Sequence, residues 1–303
     1  MPGGLDREGR ELRIEECVTR ERLSGRAVPE LESTTVSDKR IRLSVSDSGV
    51  AIVTMVRADK HNALDKAMFE GLLEAADRLA TELTVRAVVL HGEGRSFCSG
   101  LDISSFLADS AGGIDALFVR EDGRLANFAQ RAAYDWSGVP VPVIAAITGS
   151  CFGGGMQIAL GADIRIAAPD ARLSLMEVKW GLVPDMAITQ SLPRVMRIDV
   201  AKELTFTGRI VSGLEASSLG LVTRTAEDPL SAALELADEI AGKSPDAIRA
   251  AKRLYDETWS GGDTADALAL ESRLQLGLLG TPNQVAAVAA GVSGRAPSFI
   301  DPA

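Results

Sequence analysis

Two glycine-rich segments have the residue types and spacing to do chemistry. They are Gly92-Glu93-Gly94-Arg95-Ser96-Phe97-Cys98-Ser99-Gly100-Leu101-Asp102 and Gly149-Ser150-Cys151-Phe152-Gly153-Gly154-Gly155-Met156-Gln157. Each follows a short apolar run that reads as a buried strand, Arg86 to Leu90 for the first and Val143 to Ile147 for the second. Glycine admits positive φ and lets backbone approach a ligand closely. The second segment also opens a helix over Met156 to Leu160, so its first N–H groups lack helical acceptors and point outward at the positive end of the dipole. Two such loops on adjacent strands can aim two amides at one oxygen, which is the geometry of an oxyanion hole. Either loop alone also reads as a tight turn. Neither fits G-x-G-x-x-G and no Gly-Lys-Ser/Thr is present, so nucleotide phosphates are not indicated.

Other chemistry has few residues to draw on. Cys17, Cys98 and Cys151 are odd in number and widely spaced, which suggests neither a disulfide framework nor a zinc site. His61 and His91 are the two histidines, so metal and histidine-base mechanisms have little to work with. No metal is expected. Cys98 and Cys151 lack a visible base partner and read as packing residues; the histidines read as structural or at a pocket rim; Trp136 and Trp180 read as core or pocket wall. The net charge of −10 argues against nucleic acid as partner, because phosphate backbones need a basic footprint. No apolar run is long enough to cross a bilayer, and the first 36 residues are rich in Arg and Glu. A reducing cytoplasm is the expected location.

The elements that must position the loops follow from periodicity. Residues 1–36 read as a mobile polar extension. Ile41 to Ser46 and Val50 to Val56 flank Ser46-Asp47-Ser48-Gly49 and predict a hairpin. Met68, Leu72, Leu73, Ala76, Leu79 and Leu83 predict a helix, and Phe118, Leu125, Phe128 and Ala132 predict a second over Asp115 to Trp136. Asp163 to Ala167 and Arg172 to Met176 read as strands. Residues 37–228 therefore form an α/β core with a partly parallel sheet. From 229 to 303 the chain is helical, with starts at Asp228-Pro229, Ser244-Pro245 and Thr281-Pro282.

The two loops together resemble the paired motifs of the crotonase (enoyl-CoA hydratase/isomerase) superfamily. Arg57-Ala58-Asp59-Lys60-His61-Asn62-Ala63-Leu64 resembles the N-terminal segment of that family. The match runs in order from about residue 40 to the C-terminus. The resemblance implies a spiral of ββα units with a helical C-terminal region that mediates assembly into a homotrimer or hexamer. It implies an acyl-CoA thioester substrate, with no cofactor beyond the CoA that the substrate carries. By position, the oxyanion amides are those of Leu101 and Gly154. Arg95 would approach the CoA phosphates, with Arg57, Lys60 and, less directly, Lys252 as further basic candidates. Ala63 and Leu64 would line the adenine pocket, and Ser99 and Gln157 would face the substrate.

The carboxylates depart from the hydratase pattern. The first of the two glutamates that activate water in that branch falls at Gln157, whose amide cannot exchange a proton near neutral pH. The second falls at Glu177. Its neighbours Leu175, Met176, Val178 and Trp180 suggest a partly desolvated acid with raised pKa, hence a better base. Asp185 stands where the hydratase pattern has glycine and the dienoyl-CoA isomerase branch has aspartate; it also suits a helix N-cap. Glu177 present with Gln157 in place of glutamate favours double-bond isomerisation of an enoyl-CoA, or of a dienoyl-CoA with Glu177 and Asp185 as the two catalytic carboxylates. Hydration with Asp185 in place of the missing glutamate is the alternative, and a non-catalytic acyl-CoA binding protein a further one.

Overall fold

The computed structural model describes residues 34–36, 40–108, 113–259 and 261–302. The extension assigned to residues 1–36 lies outside them except for β1 (Thr34–Val36), which pairs antiparallel with β2 (Ile41–Val45), so the sheet begins inside that segment. The expected hairpin forms: β2 pairs with β3 (Val50–Met55), Ile41 opposite Met55, and Gly49 turns with φ +82°. Helix α1 (Lys66–Thr81) starts where the Asp65 carboxylate accepts the Met68 N–H, and it buries Phe69, Leu72 and Leu79.

The chain then alternates. It runs through β4 (Ala87–Gly92), α2 (Ile103–Ala108), α3 (Phe128–Tyr134), β5 (Val143–Ile147), β6 (Ser150–Phe152), α4 (Gly154–Gly161), β7 (Ile164–Ala167) and β8 (Arg172–Ser174). There follow α5 (Ile188–Ser191), α6 (Ile198–Thr207), β9 (Val211–Ser212), α7 (Gly213–Ser218) and β10 (Arg224–Thr225). One sheet has the order β1-β2-β3-β4-β5-β7-β10, parallel from β3 onward; a second has the order β6-β8-β9. Strands buried on both faces need apolar residues at successive positions. Val88 and Leu90 accordingly pack on the α1 side, while Ala87 and Val89 join Ile144 and Ile166 against α8 (Pro229–Ala241).

The C-terminal region is helical, as expected: α8, α9 (Pro245–Thr258), α10 (Thr264–Leu278) and α11 (Pro282–Ser293). The three proline starts are all used, and Asp263 caps α10, a start that lacks proline. The helix expected over Asp115 to Trp136 does not form as one piece. A 3-10 turn at Gly113–Phe118 is followed by irregular chain with Gly123 at φ +80°, and α3 begins only after the Asn127–Gln130 capping box. Phe118 and Leu125 consequently lie exposed.

Candidate active site

The two glycine loops leave the C-terminal ends of neighbouring parallel strands, β4 and β5, and backbone bonds stitch them together. Phe97 N–H donates to the Thr148 carbonyl at 2.8 Å, Cys98 N–H to the Ser150 carbonyl at 3.1 Å, and Phe152 N–H to the Cys98 carbonyl at 3.0 Å. Gly149 permits the approach: at φ +54° a Cβ there would stand 1.8 Å from the Arg95 carbonyl oxygen. A Cβ on Gly100 would lie 2.9 Å from the Phe152 oxygen and 3.9 Å from the Gly154 nitrogen, so the two loops meet at the proposed hole.

The third segment is tied in the same way. Leu64 N–H donates to the Gly100 carbonyl, and Asp102 N–H donates back to the Leu64 carbonyl. Leu101, between them, keeps its own N–H out of this bridge. Gly154 is the first residue of α4, before helical bonding begins with Gln157 N–H on the Gly153 carbonyl. Among the described residues neither the Leu101 nor the Gly154 amide donates to a protein acceptor.

Glu177 follows β8 at the start of a 3-10 turn that closes on Gly181. The Gly153 N–H to Ser174 carbonyl bond, 2.9 Å, holds the end of β8 against the second loop. A Cβ on Gly153 would lie 3.2 Å from Glu177 Oε1, so the carboxyl sits over the residue next to Gly154. Its Oε1 accepts a hydrogen bond from Gln157 Nε2 at 2.6 Å. Its Oε2 is buried and has no partner among the described residues. Burial raises its pKa, opposed by its own backbone and by the Gln157 bond; the charge of Asp185 raises it further.

Gln157 is 1% exposed and bonded at both ends of its amide: its Oε1 accepts the Met186 N–H at 2.8 Å while its Nε2 donates to Glu177. Its spacing from Gly154 predicts a side chain that faces the substrate; in the structure its amide is spent on Glu177 and Met186. Asp185 does not cap a helix. The residue before α5 is Ala187, in the left-handed region at φ +59°, with no side-chain cap bond. Asp185 remains accessible, yet atoms packed around its carboxyl raise its pKa too.

The basic candidates divide. Lys60 and Arg95 are exposed and form no ion pair among the described residues. Arg57, expected to bind substrate, is 9% exposed and occupied: it donates to the Ala63 carbonyl and to Asp102 Oδ2 at 2.8 Å, and lies 3.4 Å from Asp65. It holds the loop together and has no free face for a phosphate. Lys252 is likewise spent on Asp163 and the Val141 carbonyl. Ala63 and Leu64 are buried beside this network, and the Ser99 hydroxyl donates to the Lys60 carbonyl.

Cys98 and Cys151 are buried, and burial pushes the Cys98 thiol up to about 12. His61 bonds Ser96 and His91 bonds Thr54, both structural. Trp136 is core; Trp180 is exposed rather than a wall. Sequence reasoning missed Asn62. At φ +55° and fully buried, its side chain accepts the Arg57 N–H and donates to the carbonyls of Glu93 and Ser96, joining the Arg57–Leu64 segment to the first glycine loop. An Asn after His in a loop was the available signal, since Asn tolerates the left-handed region. A cavity of about 810 Å³ lies on the side of Gln157 away from the glycine loops, lined by Leu160, Tyr134, Arg165 and Lys252; Leu101, Gly154, Glu177 and Asp185 are not in its lining.

A family model described as enoyl-CoA hydratase/isomerase matches residues 46–293. The chain is similar to the mitochondrial methylglutaconyl-CoA hydratase of Mus musculus, 30% identical over 276 residues that cover 88% of this chain and 85% of the relative. It is similar to enoyl-CoA hydratase domain-containing protein 2 of the same organism, 33% identical over 265 residues, covering 85% and 86%. Among solved structures, enoyl-CoA hydratase from Bacillus anthracis matches with a TM-score of 0.79 at 29% identity, over 86% of this chain and 99% of that one.

Proposed function

Because the chain belongs to the enoyl-CoA hydratase/isomerase family of the crotonase superfamily, we propose that its reaction is a double-bond shift in an enoyl-CoA thioester. The supporting observation is the amide of Gln157, locked between Met186 and Glu177 where a water-activating hydratase has the first of its two glutamates. One buried carboxylate that both removes and returns a proton is what a shift requires; water addition calls on a second acid or base.

The thioester oxygen would lie between the amides of Leu101 and Gly154. Glu177, ionised, takes a proton from C2 of a 3-enoyl-CoA. The electron pair moves onto the thioester oxygen, and the developing negative charge is met by the two N–H dipoles. One such donor contributes about 3–4 kcal/mol of barrier lowering where it has been removed from an enzyme. The protonated acid then delivers the proton to C4, and the C=C bond becomes 2,3. A 3,5-dienoyl substrate would use Asp185 as the second proton carrier. Lys60 and Arg95 supply the charge for the CoA phosphates. The apolar residues exposed on α10 and α11, among them Leu276, Val288 and Val292, suit the homotrimer or hexamer of the family.

A second activity has its own observation. The charge of Asp185 acts on Glu177 and raises its pKa, which supports hydration with these two carboxylates as the acid/base pair. Incubation with 3-enoyl-CoA and with crotonyl-CoA, read by absorbance and product mass, separates the outcomes. Conversion without mass change supports isomerisation. Gain of one water from crotonyl-CoA as the dominant turnover refutes it in favour of hydration. CoA-ester binding with no turnover, equal in wild type and Glu177→Gln, refutes both in favour of a binding protein.

A further inference from the structure

Gln157 decides which oxygen of Glu177 can carry a proton. The reason is the asymmetry of an amide between a donor and an acid. Met186 N–H can only donate, so the atom it meets at 2.8 Å is the Gln157 oxygen. The NH₂ end must then face Glu177 Oε1, at 2.6 Å. An amide N–H neither accepts nor releases a proton near neutral pH, so Oε1 is held as an acceptor whether Glu177 is ionised or not. A proton gained by Glu177 must sit on Oε2, the atom that is buried and unbonded among the described residues.

We infer that Gln157 is a positioning residue: by holding Glu177 Oε1 as an acceptor it leaves Oε2 as the oxygen that takes up and returns the proton. The inference rests on Glu177 being the acid/base proposed above. The Gln157 bond favours the ionised carboxylate and opposes the effect of burial. Asp185, on the loop before α5, is the ionisable group whose charge acts on Glu177; α4 presents only the neutral amide, and the second glycine loop presents backbone. A glutamate at 157 would remove the distinction between the two oxygens, because a proton could then lie on either side of the short contact.

The sign follows directly. Loss of a donor to the ionised form raises the pKa of Glu177, so the acid limb of kcat/KM moves to higher pH. Two variants test it. Gln157→Met keeps the length and removes the bond. Gln157→Glu keeps the acceptor for Met186 and so preserves the local fold. The readout is the carboxyl titration of Glu177 by infrared difference spectroscopy against Glu177→Gln, alongside the pH profile with 3-enoyl-CoA. In Gln157→Met the titration should move up by about one pH unit or more. In Gln157→Glu it should split into two steps shared by the pair. An unchanged single titration in either variant overturns the assignment. A shifted titration in a protein inert toward 3-enoyl-CoA leaves it standing and refutes the isomerase proposal instead.

Discussion

Replacing Gly155 by Ala tests whether the juxtaposition of the two loops is what stabilises charge. A Cβ at Gly155 would meet the Cys98 carbonyl oxygen at 2.6 Å, its Cβ at 2.7 Å and its Sγ at 2.9 Å. Ordinary contact begins at 3.4 Å, so relief requires the loops to part by about 0.8 Å, on a scale where 1 Å costs about 10²-fold in rate. Cys98 stands three residues before Leu101 and exchanges bonds with Ser150 and Phe152, so the movement is carried to both amides. The expected loss in kcat is about 10²-fold, within the range for losing one oxyanion donor. Overpacking should also destabilise the fold by about 1–3 kcal/mol. Kinetics with the preferred enoyl-CoA give kcat, calorimetry with a saturated acyl-CoA gives binding, and urea unfolding gives stability. Binding should change little, because Lys60 and Arg95, proposed to meet the CoA phosphates, are not among the groups that the added Cβ would meet. Gly277→Ala, inside α10 with open space around its Cβ, is the control and should gain up to about 1 kcal/mol. Wild-type kcat in a folded Gly155→Ala protein would refute an oxyanion hole built from these two loops.

Three further outcomes are expected. Glu177→Gln should lower kcat by at least about 10²-fold. It should not lower the melting temperature at neutral pH, since an acid whose pKa is raised by burial contributes stability below its unfolded pKa and loses it as pH rises through the folded value; a fall in Tm at neutral pH would contradict the burial argument. Arg57→Met leaves Asp102 without its cation, while Asp65 keeps Arg40, and should cost about 1–3 kcal/mol in urea unfolding; a change in KM for CoA esters without loss of stability would restore Arg57 as a phosphate ligand. Cys98 and Cys151 should label with thiol reagents only as fast as the protein unfolds, followed by peptide mass mapping, because both are buried with pKa values raised far above neutral; rapid native labelling at either position would contradict their burial.

The parallel core was legible because it is encoded locally. Val88 to Leu90 and Val143 to Ile147 are uninterrupted apolar runs, and the proline-marked starts of α8, α9 and α11 state their own boundaries. The loops were legible because only glycine satisfies a contact such as Gly149 against Arg95. What failed was periodicity where capping overrode it: Leu125 fits a helical stripe by spacing, yet the Asn127 cap begins the helix after it. Charge alone also misled. Arg57, Lys60 and Arg95 look equivalent in the chain, and only the fold places Asp65 and Asp102 against the first of them. The partner of Asn62 lies about thirty residues away in loop backbone, which no spacing rule reports.

The backbone pairing of the two glycine loops, where Cys98 lies beside Cys151, has a consequence for how such a protein can change. The groups proposed to carry the enolate's charge belong to the main chain, fixed by ladder bonds between two loops rather than by any side chain. A scan that truncates side chains one at a time would pass over Leu101 and report little. The same insulation lets acidic residues come and go around the hole, at 157, 177 and 185, without dismantling it. One scaffold can thus drift from one proton-transfer outcome to another by single-residue steps, each intermediate still able to hold its thioester.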